Sequence, residues 1–159
     1  RRYDWVLLDA PAGIGAGFDL AVRHADELMV VCLADPASQR DAARAAELAL
    51  TKRFLEGLLP MQADGRLQIL GLPGTENRAG VVSVQTTARD CADIAAELDE
   101  TFGISTRVGL HCAPAAHQTL GTFPTGTIRF SFGFFNTEDD ADRAAAALDA
   151  LTKEAAHGF

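Results

Sequence analysis

Residues 127–153 read TIRFSFGFFNTEDDADRAAAALDALTK, and within this stretch the apolar period changes from two to nearly four. Ile128, Phe130 and Phe132 alternate with Arg129 and Ser131, the pattern of a strand with one face on a core. Thr137 with Asp140 three residues later matches a capping box that uses aspartate in place of the usual glutamate. It opens a helix that gathers Ala141, Ala144, Ala145, Leu148 and Leu151 on one side. A half-buried strand followed at once by an amphipathic helix can satisfy both apolar faces only by layering one on the other. The chain is therefore expected to be α/β. The phenylalanines from Phe123 to Phe135 are expected to form a sheet face packed under helices.

The same alternation of patterns runs through the rest of the chain. YDWVLLD, from Tyr3, reads as a buried strand, followed by the loop APAGIGAG and a helical stretch ending near His24. ELMVVCL is a second, continuously apolar strand, of a kind that suits a parallel sheet, so residues 3–40 read as a βαβ unit. The alanine- and leucine-rich stretch after Asp35-Pro36 or Ser38 reads as a long helix, with Gly57 near its end. RLQILGL and AGVVSVQ read as strands around a turn at Pro73-Gly74. RDCADIAAELDETFG is an amphipathic helix stopped by Gly103, and STRVGL is a short strand.

Composition excludes several functions. A net charge of -8 disfavours nucleic acid and anionic membrane surfaces. No apolar run approaches the roughly 20 residues that span a bilayer, and the apolar stretch after Trp5 breaks at Asp9, unlike a signal peptide. Three unevenly spaced cysteines give no disulfide framework and suit a reducing cytoplasm.

The cysteines differ in setting. Cys32 ends an apolar run, and Cys91 shares a helix face with Ile94, Ala95 and Leu98, so both read as core. Cys112 lies in GLHCAP, where Gly109 and Pro114 argue for a loop. A thiol there can be accessible, and only the thiolate is a good nucleophile. Arg129, on the polar side of its strand, offers a planar fork suited to a carboxylate. Arg107 suits either a substrate contact or an ion pair with an acidic neighbour. His111, Cys112 and His117 are zinc-ligand types, but they form no paired-ligand knuckle, so no metal is expected. No serine has a nucleophile-elbow setting.

The stretch RVGLHCAPAAHQTLGTFPTGTIRFSFGFFNTEDD resembles the C-terminal small domain of class V pyridoxal-phosphate (PLP) enzymes, cysteine desulfurase branch. The likeness covers residues 44–159. It implies the small α+β domain of a fold type I PLP-dependent transferase, a mixed sheet with helices on one face. It also implies Cys112 as sulfur acceptor and Arg129 as ligand of the substrate carboxylate; His111 and His117 flank the thiol in sequence and are candidates for tuning its protonation, a role that the resemblance does not assign. The implied reaction turns free cysteine into alanine and leaves a persulfide on the enzyme, for iron–sulfur cluster or thiocofactor assembly. PLP is the implied cofactor, and a sulfur-acceptor protein and a homodimeric partner fit the same resemblance. No lysine motif of that family is present, since Lys52 and Lys153 both fall in helical stretches. Covalent PLP attachment to this chain alone is not expected.

Residues 1–43 resemble part of the MinD and ParA type of ATPase, through Asp9 to Gly13 (Asp-x-Pro-Ala-Gly), Gly17-Phe18, Ala25-Asp26-Glu27 and DPASQRDA. In that family the aspartate matching Asp9 assists a magnesium ion. The glycine-rich phosphate loop with its lysine is absent from this sequence, so nucleotide binding is not expected. The chain reads as a chimera of two partial modules, a βαβ remnant joined through a long helix to the small domain. A non-catalytic fusion or fragment module, and an ATPase fragment, are the alternatives.

Overall fold

In the computed structural model, residues 34–154 are described without a break, together with 6–8, 17, 20, 21, 24, 25, 29 and 31. Asp9 and Cys32 lie outside the described residues. Val6, Leu7 and Leu8, from the expected first strand, and Met29 and Val31, from the second, are exposed and carry no strand assignment. The remainder of that βαβ expectation falls outside the described residues.

Helix α1 spans Pro36–Ala63. Asp35 caps it, its carboxylate accepting from the Ala37 and Ser38 N–H groups at 3.0 Å each. The helix does not stop near Gly57 but runs through Pro60 to Ala63, with Asp64 as its C-cap. Gly57 serves packing instead, because a Cβ there would come within 2.8 Å of Ala145 Cβ on the last helix. The helix is also unbroken across residues 43 and 44, where the sequence resemblance changes.

Strands β1 (Leu67–Leu70) and β2 (Val81–Thr86) form an antiparallel pair. Their connection is tied by Arg78, whose guanidinium donates to the carbonyls of Gly74, Val81 and Leu72. Helix α2 (Cys91–Phe102) ends at Gly103, which is left-handed at φ 64°. Strand β3 (Arg107–Gly109), helix α3 (Pro114–Leu120), strand β4 (Thr127–Ser131) and helix α4 (Glu138–Glu154) complete the order. The Thr137–Asp140 box is made in both directions: the Thr137 N–H donates to the Asp140 carboxylate at 2.8 Å, and the Asp140 N–H donates to the Thr137 hydroxyl at 3.3 Å.

The strands lie in the order β1-β2-β4-β3 and all described pairs are antiparallel, in place of the expected mixed sheet. β2 and β3 run the same way, joined through α2 as in a βαβ crossover. β4 inserts between them with opposite direction, so every neighbouring pair becomes antiparallel. Val82, Val84, Ile128 and Phe130 face the helices, where Phe54 of α1 packs its ring against Phe130 and Phe132 at 4.8 and 5.2 Å. Cys91, Ile94, Ala95 and Leu98 of α2 join this core with the apolar face of α4. The phenylalanine cluster divides, however. Phe123, Phe134 and Phe135 are exposed, by 48, 66 and 94%. β4 ends at Ser131, and a turn closed by the Asn136 N–H to the Gly133 carbonyl breaks the alternation that would have buried them.

Candidate functional site

The polar side of β4 carries the candidate site. Arg129 sits directly opposite Arg107 of β3 and, on its other flank, opposite Ser83 of β2. Alternation therefore puts the two guanidiniums side by side on the sheet face turned away from the core. Among the described residues neither pairs with a carboxylate. The ion-pair option for Arg107 is thus not taken up there. Arg129 is half-buried, and its Nε is buried without a hydrogen-bond partner among the described residues. Two neighbouring cations and an unused donor make a strip suited to a small anion, with the fork of Arg129 available for a carboxylate.

Cys112 lies just past the end of β3. It is exposed, whereas Cys91 is buried beneath Thr86. Gly109 leaves the strand at φ 103°, and Gly126, at φ 76°, passes so close that a Cβ would stand 2.3 Å from the Gly109 carbonyl carbon. This glycine-on-glycine contact lets the entry to β4 pass close against the end of β3, where the cysteine loop begins. Ala113 then leads into α3, with Pro114 at its first turn.

The two histidines have distinct settings. His117 is buried on α3, its Nδ1 2.7 Å from the Thr122 hydroxyl. His111 is half-buried, its Nε2 3.0 Å from the Thr127 hydroxyl, and the two imidazoles lie 5.7 Å apart. Burial, then the charges of Arg129, His117 and Arg107, hold the His111 imidazole below its ordinary range. His111, Arg107 and Arg129 are therefore brought together electrostatically, with Cys112 one residue along the chain. Asp9 lies outside the described residues, and no group of three His, Cys, Asp or Glu among those described is placed to hold a metal ion. Thr122 and Thr127 were not foreseen, because their partners are fixed by turns and register rather than by any local pattern.

Residues 36–144 match the family model for class-V aminotransferases. The chain belongs to the class-V aminotransferase family. Within it, the chain is a cysteine desulfurase-like domain: it is 36% identical over 109 residues to a probable cysteine desulfurase of Halobacterium salinarum, covering 69% of this chain and 25% of that protein. A probable cysteine desulfurase of Aeropyrum pernix is 31% identical over 102 residues, 64% of this chain and 24% of the other. Among solved structures, the apo cysteine desulfurase of Thermococcus onnurineus superposes with a TM-score of 0.65 at 29% identity, covering 74% of this chain and 28% of that one. NtdA of Bacillus subtilis, solved with bound cofactor PMP, shares the fold at 18% identity, with a TM-score of 0.53 over 71% of this chain and 29% of that one. The chain thus spans about a quarter of the length of the relatives it matches.

Class-V enzymes depend on PLP, and the residues present can be tested against that cofactor. The chain has two lysines. Lys52 is on α1, 3.8 Å from Glu56, and Lys153 is on α4, paired with Asp149. Neither belongs to the β3–α3–β4 region that carries Cys112 and Arg129. The residues present do not fit covalent attachment of the cofactor. No described helix is long and apolar enough to cross a membrane.

Proposed function

We propose that this class-V domain supplies the sulfur-accepting thiol and the carboxylate grip of a cysteine desulfurase site. Cys112 is the acceptor and Arg129 the ligand of the substrate carboxylate. Arg107, opposite Arg129 without an acidic partner, contacts the same anion, and His111 and His117 tune the thiol's surroundings. The overall change is balanced: cysteine and the Cys112 thiol become alanine and the Cys112 persulfide, the sulfur leaving the substrate carbon for Sγ. The carrying observation is the exposed Cys112 just past the end of β3, the strand whose Arg107 stands opposite Arg129 in a strip of two guanidiniums that no described acid neutralises. A cytoplasmic setting, where thiols stay reduced, fits this use of cysteine.

Taken by itself the chain is a non-catalytic module, a reading favoured by the positions of Lys52 and Lys153 on α1 and α4. Activity then requires a PLP-bearing region beyond the residues matched here, and residues 1–43 carry MinD/ParA-like ancestry without ATPase function. The test is a chimera in which residues 36–154 replace the matching quarter of the Halobacterium salinarum relative. It should release alanine from cysteine and gain one sulfur atom on Cys112, read by mass spectrometry. Cys112→Ser should abolish the persulfide, and Arg129→Ala should raise KM for cysteine by about tenfold or more. A folded chimera that carries its persulfide elsewhere would sink the assignment of Cys112.

A further inference from the structure

The turn that presents Cys112 is held in a conformation its residues disfavour. The Ala113 N–H donates to the Leu110 carbonyl at 2.8 Å, closing a tight turn around His111 and Cys112. Both central residues are left-handed, at φ 50° and 60°. Turns with two left-handed centres are dominated by Gly, Asn and Asp, because a larger side chain crowds the backbone there. Such strain persists only where the surroundings over-determine it.

Two contacts supply that constraint. From β4, the fully buried Thr127 meets His111 Nε2 at 3.0 Å. From α3, the buried His117 sets its ring 5.7 Å from that of His111, and is itself held by the buried Thr122 at 2.7 Å. We infer that Thr127 and His117 are positioning residues for Cys112: they clamp the His111 ring and so keep the strained turn closed with the thiol outward. This rests on the reading of Cys112 as sulfur acceptor for its meaning, though not for its test.

The clamp is built for a neutral ring. Among the described residues the groups facing His111 are Thr127 and Arg129 from β4, Arg107 from β3 and His117 from α3, and none of these is an acid. His111 Nδ1 is buried without a partner among the described residues. A protonated ring would place a further cation beside two guanidiniums and leave an N–H at Nδ1 with no acceptor. Closure is therefore complete above the ordinary histidine value of 6.5 and weakens as pH falls below it, in keeping with the lowered pKa of His111.

Hydrogen exchange of the Ala113 amide, read by NMR on the whole chain, reports opening of the turn. Thr127→Val keeps the side-chain shape and removes the hydroxyl, so Ala113 exchange should rise about fivefold at neutral pH. Thr127→Ser should restore near wild-type exchange, and amides in β2 and α4 should be unaffected in both variants. His117→Phe keeps a ring but loses the Thr122 bond, and should raise Ala113 exchange in the same direction. In the wild type, Ala113 exchange corrected for its intrinsic pH dependence should rise along the same curve as protonation of His111, followed by its ring resonances. Unchanged Ala113 exchange in a folded Thr127→Val protein would overturn the inference. So would turn opening and His111 protonation at different pH, which decides the matter alone if Thr127→Val does not fold. No readout here uses sulfur transfer, so failure of the desulfurase reading would show separately in the chimera.

Discussion

Replacing Gly126 with alanine should cost far more than a methyl group normally does. Two independent penalties meet at this position. The backbone is left-handed at φ 76°, where alanine is disfavoured by about 1–2 kcal/mol. The new Cβ would also stand 2.3, 2.4 and 2.6 Å from the carbonyl carbon, oxygen and Cα of Gly109. Those are backbone atoms of the neighbouring strand, with no flexible end to swing aside, so an overpacking cost of about 1–3 kcal/mol adds to the first. The total is about 2–5 kcal/mol, a large share of the stability of a domain this size. Gly121 is the matched control: it is left-handed at φ 73°, yet nothing lies within 4 Å of the position its Cβ would take. Urea unfolding followed by circular dichroism should show Gly121→Ala losing only the backbone penalty, with Gly126→Ala losing clearly more. Equal losses in the two variants would refute the idea that close approach of β3 and the entry to β4 shapes the Cys112 loop.

Three further outcomes are expected. Limiting iodoacetamide should label Cys112 ahead of the buried Cys91, with Cys112→Ser removing the fast phase, as read by peptide mass mapping. Borohydride reduction after adding PLP should leave no pyridoxyl group on Lys52 or Lys153, and a stoichiometric adduct on either would show that its helix position does admit the cofactor. Thr137→Ala should destabilise by about 1 kcal/mol through loss of the α4 cap. Hydrogen bonds from the Thr137 N–H and hydroxyl hold the Asp140 carboxyl below its ordinary 3.8, so this part of the stability is present above that value and fades as pH falls below it. Acid titration of the wild type and Asp140→Asn should differ in that low-pH range.

Features written in local periodicity were legible before any coordinates. The buried face Cys91, Ile94, Ala95 and Leu98, the alternation along β4 and the Thr137–Asp140 box each depend on residues within a few positions of one another. Whatever depends on register was not. Arg107 and Arg129 are each readable as polar positions on a strand, but only the β3–β4 pairing makes them neighbours. Thr127 gave no sign of its role, since its partner His111 is brought to it by the turn after β3. Gly57 looked like a helix end because glycine usually punctuates; here the close approach of Ala145 uses its missing side chain. Phe134 and Phe135 continued an apolar run in sequence, whereas the Gly133 turn sends them outward.

The position of β4 between β2 and β3 also governs when the site can exist during synthesis. Among the described residues β3, with the cysteine turn at its tip, has no hydrogen-bonded neighbour in the sheet except β4. A growing chain that has emerged as far as α3 therefore holds Cys112 on an unpaired strand, with β2 still open along one edge. Pairing of residues distant in sequence must wait for loop closure, which makes it slow relative to helix formation. Insertion of Thr127–Ser131 then closes both edges at once and delivers Arg129 beside Arg107 in the same movement. The Cys112 turn and the Arg107–Arg129 pair are thus fixed together by a single strand sliding into the gap left for it.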